Sequence, residues 1–145
     1  MRVAVQSAPF DLGSEVAAFT AGVPGAGAVV SFTGLVRPDG GLTLMQIEHY
    51  PGMTEKAITG MVGTALSRWS LTDALVIHRH GNLKPGEPIM MVATAASHRA
   101  DAFAAAEFLM DYLKSRAPFW KKEVRNEGEG WVAAKLTDED ALKRW

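Results

Sequence analysis

The sequence predicts an α+β fold, with helices packed on a mostly antiparallel sheet, in a single domain spanning residues 1–145. Two long segments repeat apolar residues at helical spacing, and short runs rich in β-branched and aromatic residues lie around them. Turn signals between neighbouring runs favour hairpin connections, which are typical of α+β proteins rather than of a doubly wound parallel sheet. A chain of 145 residues fits one domain whose folding buries roughly 70% of the unfolded chain's surface.

The first third of the chain predicts a strand, a short helix and a β-hairpin. The strand covers residues 2–5, and the helix covers residues 14–21 because glycine and proline residues then break its pattern. Residues 28–36 and 42–49 predict two strands on either side of a Pro-Asp-Gly-Gly turn at residues 38–41. We expect these two strands to pair with each other.

The middle of the chain predicts a helix and two strands. Thr54 is a suitable N-cap for the helix, and strands at residues 74–80 and 88–95 follow it, separated by a loop. Six apolar residues at helical spacing give this helix a core face: Ile58, Met61, Val62, Ala65, Leu66 and Trp69.

The last third predicts a long helix that begins after Ser97 as N-cap. Pro118 ends it near Arg116, because the residue before a proline disfavours helical geometry. The apolar face of this helix comprises Ala102, Phe103, Ala106, Leu109, Met110 and Leu113. The remaining predicted elements are strands at residues 119–125 and 131–135 and a short helix from Thr137.

The composition excludes several classes of function. The 15 Lys and Arg against 16 Asp and Glu give a formal net charge of -1, which disfavours a nucleic-acid-binding protein. No cysteine is present, so disulfides, thiolate metal ligands and a cysteine nucleophile are excluded. We expect a cytoplasmic protein, because the sequence has neither a signal-peptide pattern nor an apolar run of ~20 residues.

Ser97-His98-Arg99 is the strongest local signal for a binding site. Free N–H groups and the helix dipole favour an anion at a helix N-terminus. An arginine and a histidine oppose that dipole, so their positions make sense if an anion lies between them and the helix end. The alternative is a solvated Arg99 and a His98 that hydrogen-bonds to a neighbouring loop.

Lys114 and Lys121 lie at and beyond the C-terminal end of the same helix. A lysine in a last turn favours the dipole, which is a sufficient structural reason for Lys114. Lys114 also follows the apolar face, so we expect its stem to be half-buried, and burial among cations lowers the pKa of a lysine. Phe119 and Trp120 can supply an apolar wall. The alternative is a solvated, charged helix exit.

Two further places hold polar side chains of interest. Arg37 ends a predicted strand at a turn, where a lone arginine is often only solvated. His78 and His80 would present two imidazoles on one face of a strand, which is half of a metal site. No third ligand is apparent, and the glycines match no nucleotide-binding motif, so we expect no metal and no cofactor.

The length of the long helix bears on whether its two ends can serve one site. His98 and Lys114 are sixteen residues apart, which is roughly 24 Å along a continuous helix. A small molecule does not reach both ends of such a helix. If both ends serve one site, they come from two copies of the chain, which predicts a symmetric homodimer with pockets at the interface.

Five motifs together resemble the large, catalytic subunit of molybdopterin synthase, and they follow one another along nearly the whole chain. They are Phe32-Thr33-Gly34-Leu35-Val36-Arg37, Ile47-Glu48-His49-Tyr50-Pro51-Gly52-Met53, His78-Arg79-His80-Gly81, His98-Arg99-Ala100-Asp101-Ala102-Phe103 and Met110-Asp111-Tyr112-Leu113-Lys114-Ser115-Arg116-Ala117-Pro118-Phe119-Trp120-Lys121-Lys122-Glu123. The last motif is highly specific.

The resemblance implies an α/β hammerhead-like fold and a homodimer within a heterotetramer. A small ubiquitin-like sulfur carrier would bind at each end and insert its C-terminal Gly-Gly tail, activated as a thiocarboxylate. The implied enzyme is a sulfurtransferase of molybdenum cofactor biosynthesis, which acts on cyclic pyranopterin monophosphate and forms the dithiolene of molybdopterin. The absence of cysteine fits this reaction, because the sulfur then arrives on another molecule.

The resemblance also implies which residues form the pocket. Lys114 and Lys121 occupy the catalytic positions and would move protons. Lys135 stands where relatives have an arginine, so it keeps the charge without the bidentate fork. The turn after Arg37 is shorter than the polar loop of the family. The substrate-binding positions are Leu35, Val36, Arg37, His98, Arg99, Lys114, Lys121, Lys122, Glu123 and Lys135.

On the residues alone, two other functions remain open. A non-catalytic module could use the same cations to capture an anionic peptide tail or a nucleotide. A nucleic-acid-binding protein is the second alternative, and the net charge and the lack of a basic stripe with interleaved aromatics disfavour it.

Overall fold

A computed structural model describes all 145 residues and contains two four-stranded sheets. The elements in chain order are β1 (Arg2–Gln6), α1 (Leu12–Ala21), β2 (Ala28–Leu35), β3 (Leu42–His49), α2 (Met53–Arg68), β4 (Asp73–Arg79), β5 (Gly81–Leu83), β6 (Pro88–Ala96), α3 (Arg99–Ser115), β7 (Phe119–Arg125), β8 (Gly128–Trp131) and α4 (Leu136–Ala141), with a final 3₁₀ turn at Leu142–Arg144. No helix is long and apolar enough to cross a membrane.

The strand pairings confirm the α+β prediction. The first sheet has the order β1-β4-β6-β2 and the second has the order β5-β3-β7-β8. The pairing of β1 with β4 is parallel, and every other pairing is antiparallel. The antiparallel strands are therefore divided between two sheets rather than held in one.

The predicted hairpin of β2 with β3 is wrong. Strand β2 pairs with β6 in the first sheet, whereas β3 pairs with β5 and β7 in the second. Strand β6 is buried along almost its whole length, so it needs a neighbour on both sides, and β2 supplies one of them. A bulge between Gly34 and Leu35 and a hydrogen bond from Val36 N–H to Glu87 O hold the end of β2 against the segment that precedes β6.

The first sheet separates two apolar clusters because side chains alternate along its strands. In β4, Ala74 and Val76 face α2 and α3, while Leu75 and Ile77 belong to the cluster that includes Phe19 of α1. The second sheet contributes to the larger cluster through two fully covered residues, Ile47 and Leu83. The predicted apolar face of α2 is confirmed at Ile58, Met61, Val62 and Ala65, with Leu66 and Trp69 partly buried at its edge.

The apolar face of α3 differs from the prediction at one position. Phe103 is 61% exposed, because it lies at the side of the face whose centre is formed by Ala102, Ala105 and Leu109. Met110 lies on the same side and is only partly buried. The buried residues of α3 are Ala102, Ala105, Ala106, Phe108, Leu109 and Leu113.

Two predicted helix caps are displaced by one or two residues. His98 rather than Ser97 is the N-cap of α3, and it has extended geometry without a side-chain capping bond. Gly52 begins α2 with a φ of 82°, a conformation that favours glycine, and its N–H donates to the Glu55 carboxylate. Thr54 therefore lies inside the first turn, where its hydroxyl donates to Tyr50 O at 2.9 Å.

Candidate active site

The course of α3 separates two groups of cations. Ser97 and His98 reverse the chain after β6, so α3 runs back along β6 and β2, against which it packs. Because β2 is antiparallel to β6, its last residue lies beside Pro88 at the start of β6. Arg37 is therefore at the end of the sheet where α3 ends, while His98 and Arg99 are at the opposite end. Helix α3 is continuous from Arg99 to Ser115, so the two groups of cations lie at its opposite ends.

Lys121 is the central cation of the group at the C-terminal end of α3. It lies in β7 opposite Ile47 of β3 and is partly buried. Its ammonium group takes part in none of the salt bridges of the chain. Burial lowers the pKa of Lys121, the charges of Lys114 and Lys135 lower it further, and Asp138 opposes the shift. The site thus holds a lysine whose charge the folded chain does not neutralise.

Lys114 is exposed, so the prediction that its stem is half-buried is wrong. It follows the buried Leu113 by one residue, and a step of one residue turns the side chain about 100° away from the core. The partly buried lysine with a lowered pKa is Lys121 instead. Lys114 contributes to that pKa because its charge is close by.

The C-terminal segment brings Lys135 to the same place. The Val132 N–H donates to Lys121 O at 2.8 Å, so the chain leaving β8 runs alongside β7. The Ser115 hydroxyl donates to Asp138 O at 3.0 Å, and Arg116 pairs with Glu139. These contacts attach the start of α4 to the end of α3, and Lys135 is the N-cap of α4.

Leu35, Val36 and Arg37, which were predicted to bind substrate, differ in their accessibility. The Val36 side chain is fully buried, its N–H donates to Glu87 O and its carbonyl accepts from Gly86 N–H. Both backbone polar groups of Val36 are therefore already hydrogen-bonded within the chain. Leu35 and Arg37 are both exposed and remain accessible.

The side chains of Lys122 and Glu123 each form an ion pair with a residue other than Lys121. Lys122 projects from the face of β7 opposite to that of Lys121, where its ammonium lies 3.1 Å from Glu129 and 5.2 Å from the centre of the Trp131 ring. Glu123 is on the same face as Lys121, and its carboxylate pairs with Arg125. The structure thus does not bring the Lys122 ammonium to the Lys121 cluster.

Aromatic and imidazole rings pack beside Lys121, and this arrangement was not predicted. His78 is 4% exposed and lies flat on Phe119, with ring centroids 3.7 Å apart. His80 contacts His49 at 4.3 Å between centroids. Burial, with the Lys121 charge as a smaller cause, lowers the pKa of His78 to about 3. The His-Arg-His motif drew attention as half of a metal site, and no set of three or more histidine or carboxylate side chains is arranged to hold a metal.

The arrangement around Lys121 suits an anion and a proton transfer. Three lysines with a single nearby carboxylate leave an excess of positive charge, which an anionic ligand would neutralise. A lysine with a lowered pKa exchanges a proton more readily near neutral pH than a solvated lysine does.

Comparison with known proteins gives a consistent result. The sequence profile of the family described as "MoaE protein" matches residues 5–116. The chain is 68% identical to the molybdopterin synthase catalytic subunit of Cereibacter sphaeroides over 146 aligned positions, covering 100% of both chains. It is 59% identical to that of Ralstonia nicotianae, covering 99% of this chain and 83% of the relative.

A solved structure agrees with the sequence relatives. The molybdopterin biosynthesis MoaE protein from Burkholderia ambifaria MC40-6 superimposes with a TM-score of 0.86 at 51% identity, covering 99% of this chain and 97% of that one.

Proposed function

The chain belongs to the MoaE protein family, whose relatives described above are molybdopterin synthase catalytic subunits, and on that premise we propose how its residues carry out the reaction. The protein is an enzyme of molybdenum cofactor biosynthesis. In our proposal, residues 1–145 form one domain that transfers sulfur from the C-terminal thiocarboxylate of a small carrier protein to cyclic pyranopterin monophosphate. The product is the dithiolene of molybdopterin.

The unneutralised Lys121 is the observation on which this assignment chiefly depends. The substrate phosphate and the carrier's thiocarboxylate are both anions, and Lys121, Lys114 and Lys135 provide the charge that attracts them. Lys121 and Lys114 move protons as the sulfur attacks and the cyclic phosphate opens. Arg37 lies at the same end of the first sheet and binds the phosphate.

The second half of the pocket comes from another copy of the chain. His98 and Arg99 are exposed at the N-terminal end of α3, about 24 Å from Lys114, so they do not reach the lysines of their own chain. In our proposal a homodimer places them against the lysines of the partner. Each pocket then contains cations from both protomers.

The carrier protein is a second, smaller subunit. The relatives are named as catalytic subunits, which means that those proteins act together with another chain. Lys114 and Arg37 are exposed. In our proposal they lie at the mouth of the pocket, where an incoming anionic tail first meets the protein. A cytoplasmic location remains a prediction from the sequence.

Substitution of Lys121 tests the assignment. We expect Lys121→Ala to lower kcat for sulfur transfer by about 100-fold, because it removes the proton-transfer group. The assay uses thiocarboxylated carrier and pyranopterin precursor, with the product measured by mass spectrometry. The matched control is Lys143→Ala, since Lys143 is a solvent-exposed lysine that pairs only with Asp140.

Three outcomes separate the possible functions. Loss in Lys121→Ala with an unchanged Lys143→Ala agrees with the proposal. Full sulfur transfer by Lys121→Ala would remove the catalytic role of the lysine. Binding of the carrier tail without any turnover in the wild type would instead indicate a binding module.

A further inference from the structure

His78 is a buried histidine with one ring nitrogen already committed. Its Nδ1 lies 2.8 Å from the carbonyl oxygen of Arg79, and a carbonyl only accepts hydrogen bonds. Nδ1 therefore carries the hydrogen. The ring is neutral at physiological pH because burial lowers its pKa to about 3, so Nε2 keeps a free lone pair.

Nε2 of His78 is open to the surroundings of the ring rather than sealed in the core. No fully buried side-chain nitrogen or oxygen of the chain lacks a hydrogen-bond partner. Nδ1 is the only side-chain atom of His78 with such a partner, so Nε2 is not fully buried. Because His78 is only 4% exposed, Nε2 is accessible only through a narrow opening.

The His78 ring lies beside the strand that carries Lys121. The His78 ring is stacked on Phe119, with an interplanar angle of 16°. Phe119 and Lys121 are two residues apart in β7, so their side chains project from the same face, about 7 Å apart along the strand. Among the neighbouring charged side chains, Lys121 lowers the pKa of His78 most, ahead of His49 and His80, after the larger effects of burial and of the hydrogen bond to Arg79 O.

Resting on the function proposed above, we propose that His78 is a positioning residue for Lys121. Nε2 of the neutral imidazole accepts a hydrogen bond relayed from the Lys121 ammonium by one water molecule, and this directs the ammonium toward the bound anion. The two side chains form no direct hydrogen bond, so the proposal places one water molecule between them, which costs little energy. His78 is too weak a base to remove the proton itself.

Several neighbouring charged groups also influence the titration of Lys121 and of His78. Lys114 from α3, Lys135 at the N-cap of α4 and Asp138 within α4 act on Lys121. His49 from β3 and His80 after β4 act on His78. None of these groups changes when His78 is substituted, so a shift in the titration of Lys121 reports on the His78 ring.

The test compares His78→Phe and His78→Gln with the wild-type full-length chain. His78→Phe keeps the aromatic contact with Phe119 and removes the acceptor, whereas His78→Gln keeps an acceptor near the position of Nε2. The first readout is the titration of Lys121 in protein with ¹³C-labelled lysine, with its resonance assigned from Lys121→Arg. We expect the midpoint to fall by about one pH unit in His78→Phe, because the protonated form loses a hydrogen bond, and to recover in His78→Gln.

The second readout is the kinetics of sulfur transfer. We expect His78→Phe to lower kcat about 10-fold with little change in KM for the pyranopterin precursor, and His78→Gln to restore most of the loss. The matched control is His80→Phe, the same chemical change at a histidine that contacts His49 rather than Phe119. We expect it to leave the Lys121 midpoint unchanged.

The two readouts separate failure of this inference from failure of the proposed function. An unchanged Lys121 midpoint in a folded His78→Phe protein would overturn the positioning role, whatever the activity. Equal shifts in His78→Phe and His78→Gln would also overturn it, because only packing would then matter. A shifted midpoint without wild-type turnover would leave the pair intact and reject the sulfurtransferase assignment for this pocket.

Discussion

The protonated Lys121 lowers the stability of the folded protein, because burial disfavours its charge. Its pKa is lowered from the ordinary value of 10.5, mainly by burial, so folding is penalised as long as the lysine is protonated. The penalty is present at neutral pH. It diminishes as the pH rises through the lowered pKa, and it is absent above 10.5.

Lys121→Met is therefore expected to stabilise the protein at neutral pH. The methionine keeps the apolar stem and removes the charge, so the free energy of unfolding rises at about pH 7. The gain over the wild type shrinks toward about pH 10, as the wild-type lysine loses its proton. Urea unfolding at several pH values measures the difference, with Lys143→Met as the control. A variant that is less stable than the wild type at pH 7 would contradict the expectation.

For single residues, the sequence predicted which side chains belong to the site better than it predicted their burial and contacts. The last motif predicted that both Lys114 and Lys121 belong to the site. Burial was expected for Lys114, but the partly buried lysine is Lys121. Burial of Lys121 depends on segments that pack beside it from elsewhere in the chain, including the segment that leaves β8. His78 shows the same difficulty, because its contact with Phe119 joins residues 41 positions apart.

Among the elements, α4 depends on contacts beyond its own turns. It has no buried residue, so little of its stability comes from packing of an apolar face. The chain end fixes it instead. The Trp145 ring packs edge-on against Trp69 and Phe108, at 5.4 and 5.7 Å between centroids, and its indole N–H donates to Asp111 at 2.6 Å.

Loss of this aromatic anchor is expected to release the segment that carries Lys135. We expect Trp145→Ala to lower the free energy of unfolding by about 2 kcal/mol and to increase proteolysis between β8 and α4. Limited proteolysis and thermal unfolding measure the two effects. Trp131→Ala is the matched control, because Trp131 is 57% exposed. Equal effects of the two substitutions would show that the anchor has no special role.

The elements were predicted well where periodicity was local and poorly where pairing was distant. The helices α2 and α3 follow from the spacing of apolar residues, and their positions are close to the prediction. Strand β2 pairs with β6, and strand β3 pairs with β7. Each of these partners lies 50 or more residues away in the sequence. A turn signal at residues 38–41 indicates a change of direction but not the sheet that the chain then joins.

For the whole molecule, the proposed sharing of one pocket by both cation groups would make dimerisation necessary for activity, because the two groups lie at opposite ends of α3. A chain with His98→Ala and a chain with Lys114→Ala are each defective in both pockets of their own homodimer. A mixed dimer contains one pocket with both defects and one pocket with neither. The arrangement therefore predicts complementation between two inactive variants.

Mixing the two variants is expected to recover about a quarter of wild-type activity, since random exchange gives half mixed dimers with one intact pocket each. Subunit exchange is confirmed by native mass spectrometry, and turnover is measured in the same sample. A double variant carrying both substitutions in one chain, mixed with the wild type, provides the control. Complete exchange without recovery would mean that His98 and Lys114 do not share a pocket across the dimer.

The continuous α3 described above also limits how the chain can change in evolution. If its two ends serve two different pockets, inserting or deleting even one residue between Arg99 and Ser115 shifts one end by about 1.5 Å and rotates it by about 100° relative to the other. Substitutions inside the helix are tolerated wherever the core allows, but changes of length are not. Homologues of different length should therefore differ in the turns at residues 37–41 and 126–127. Their α3 helices should all keep the length of 17 residues.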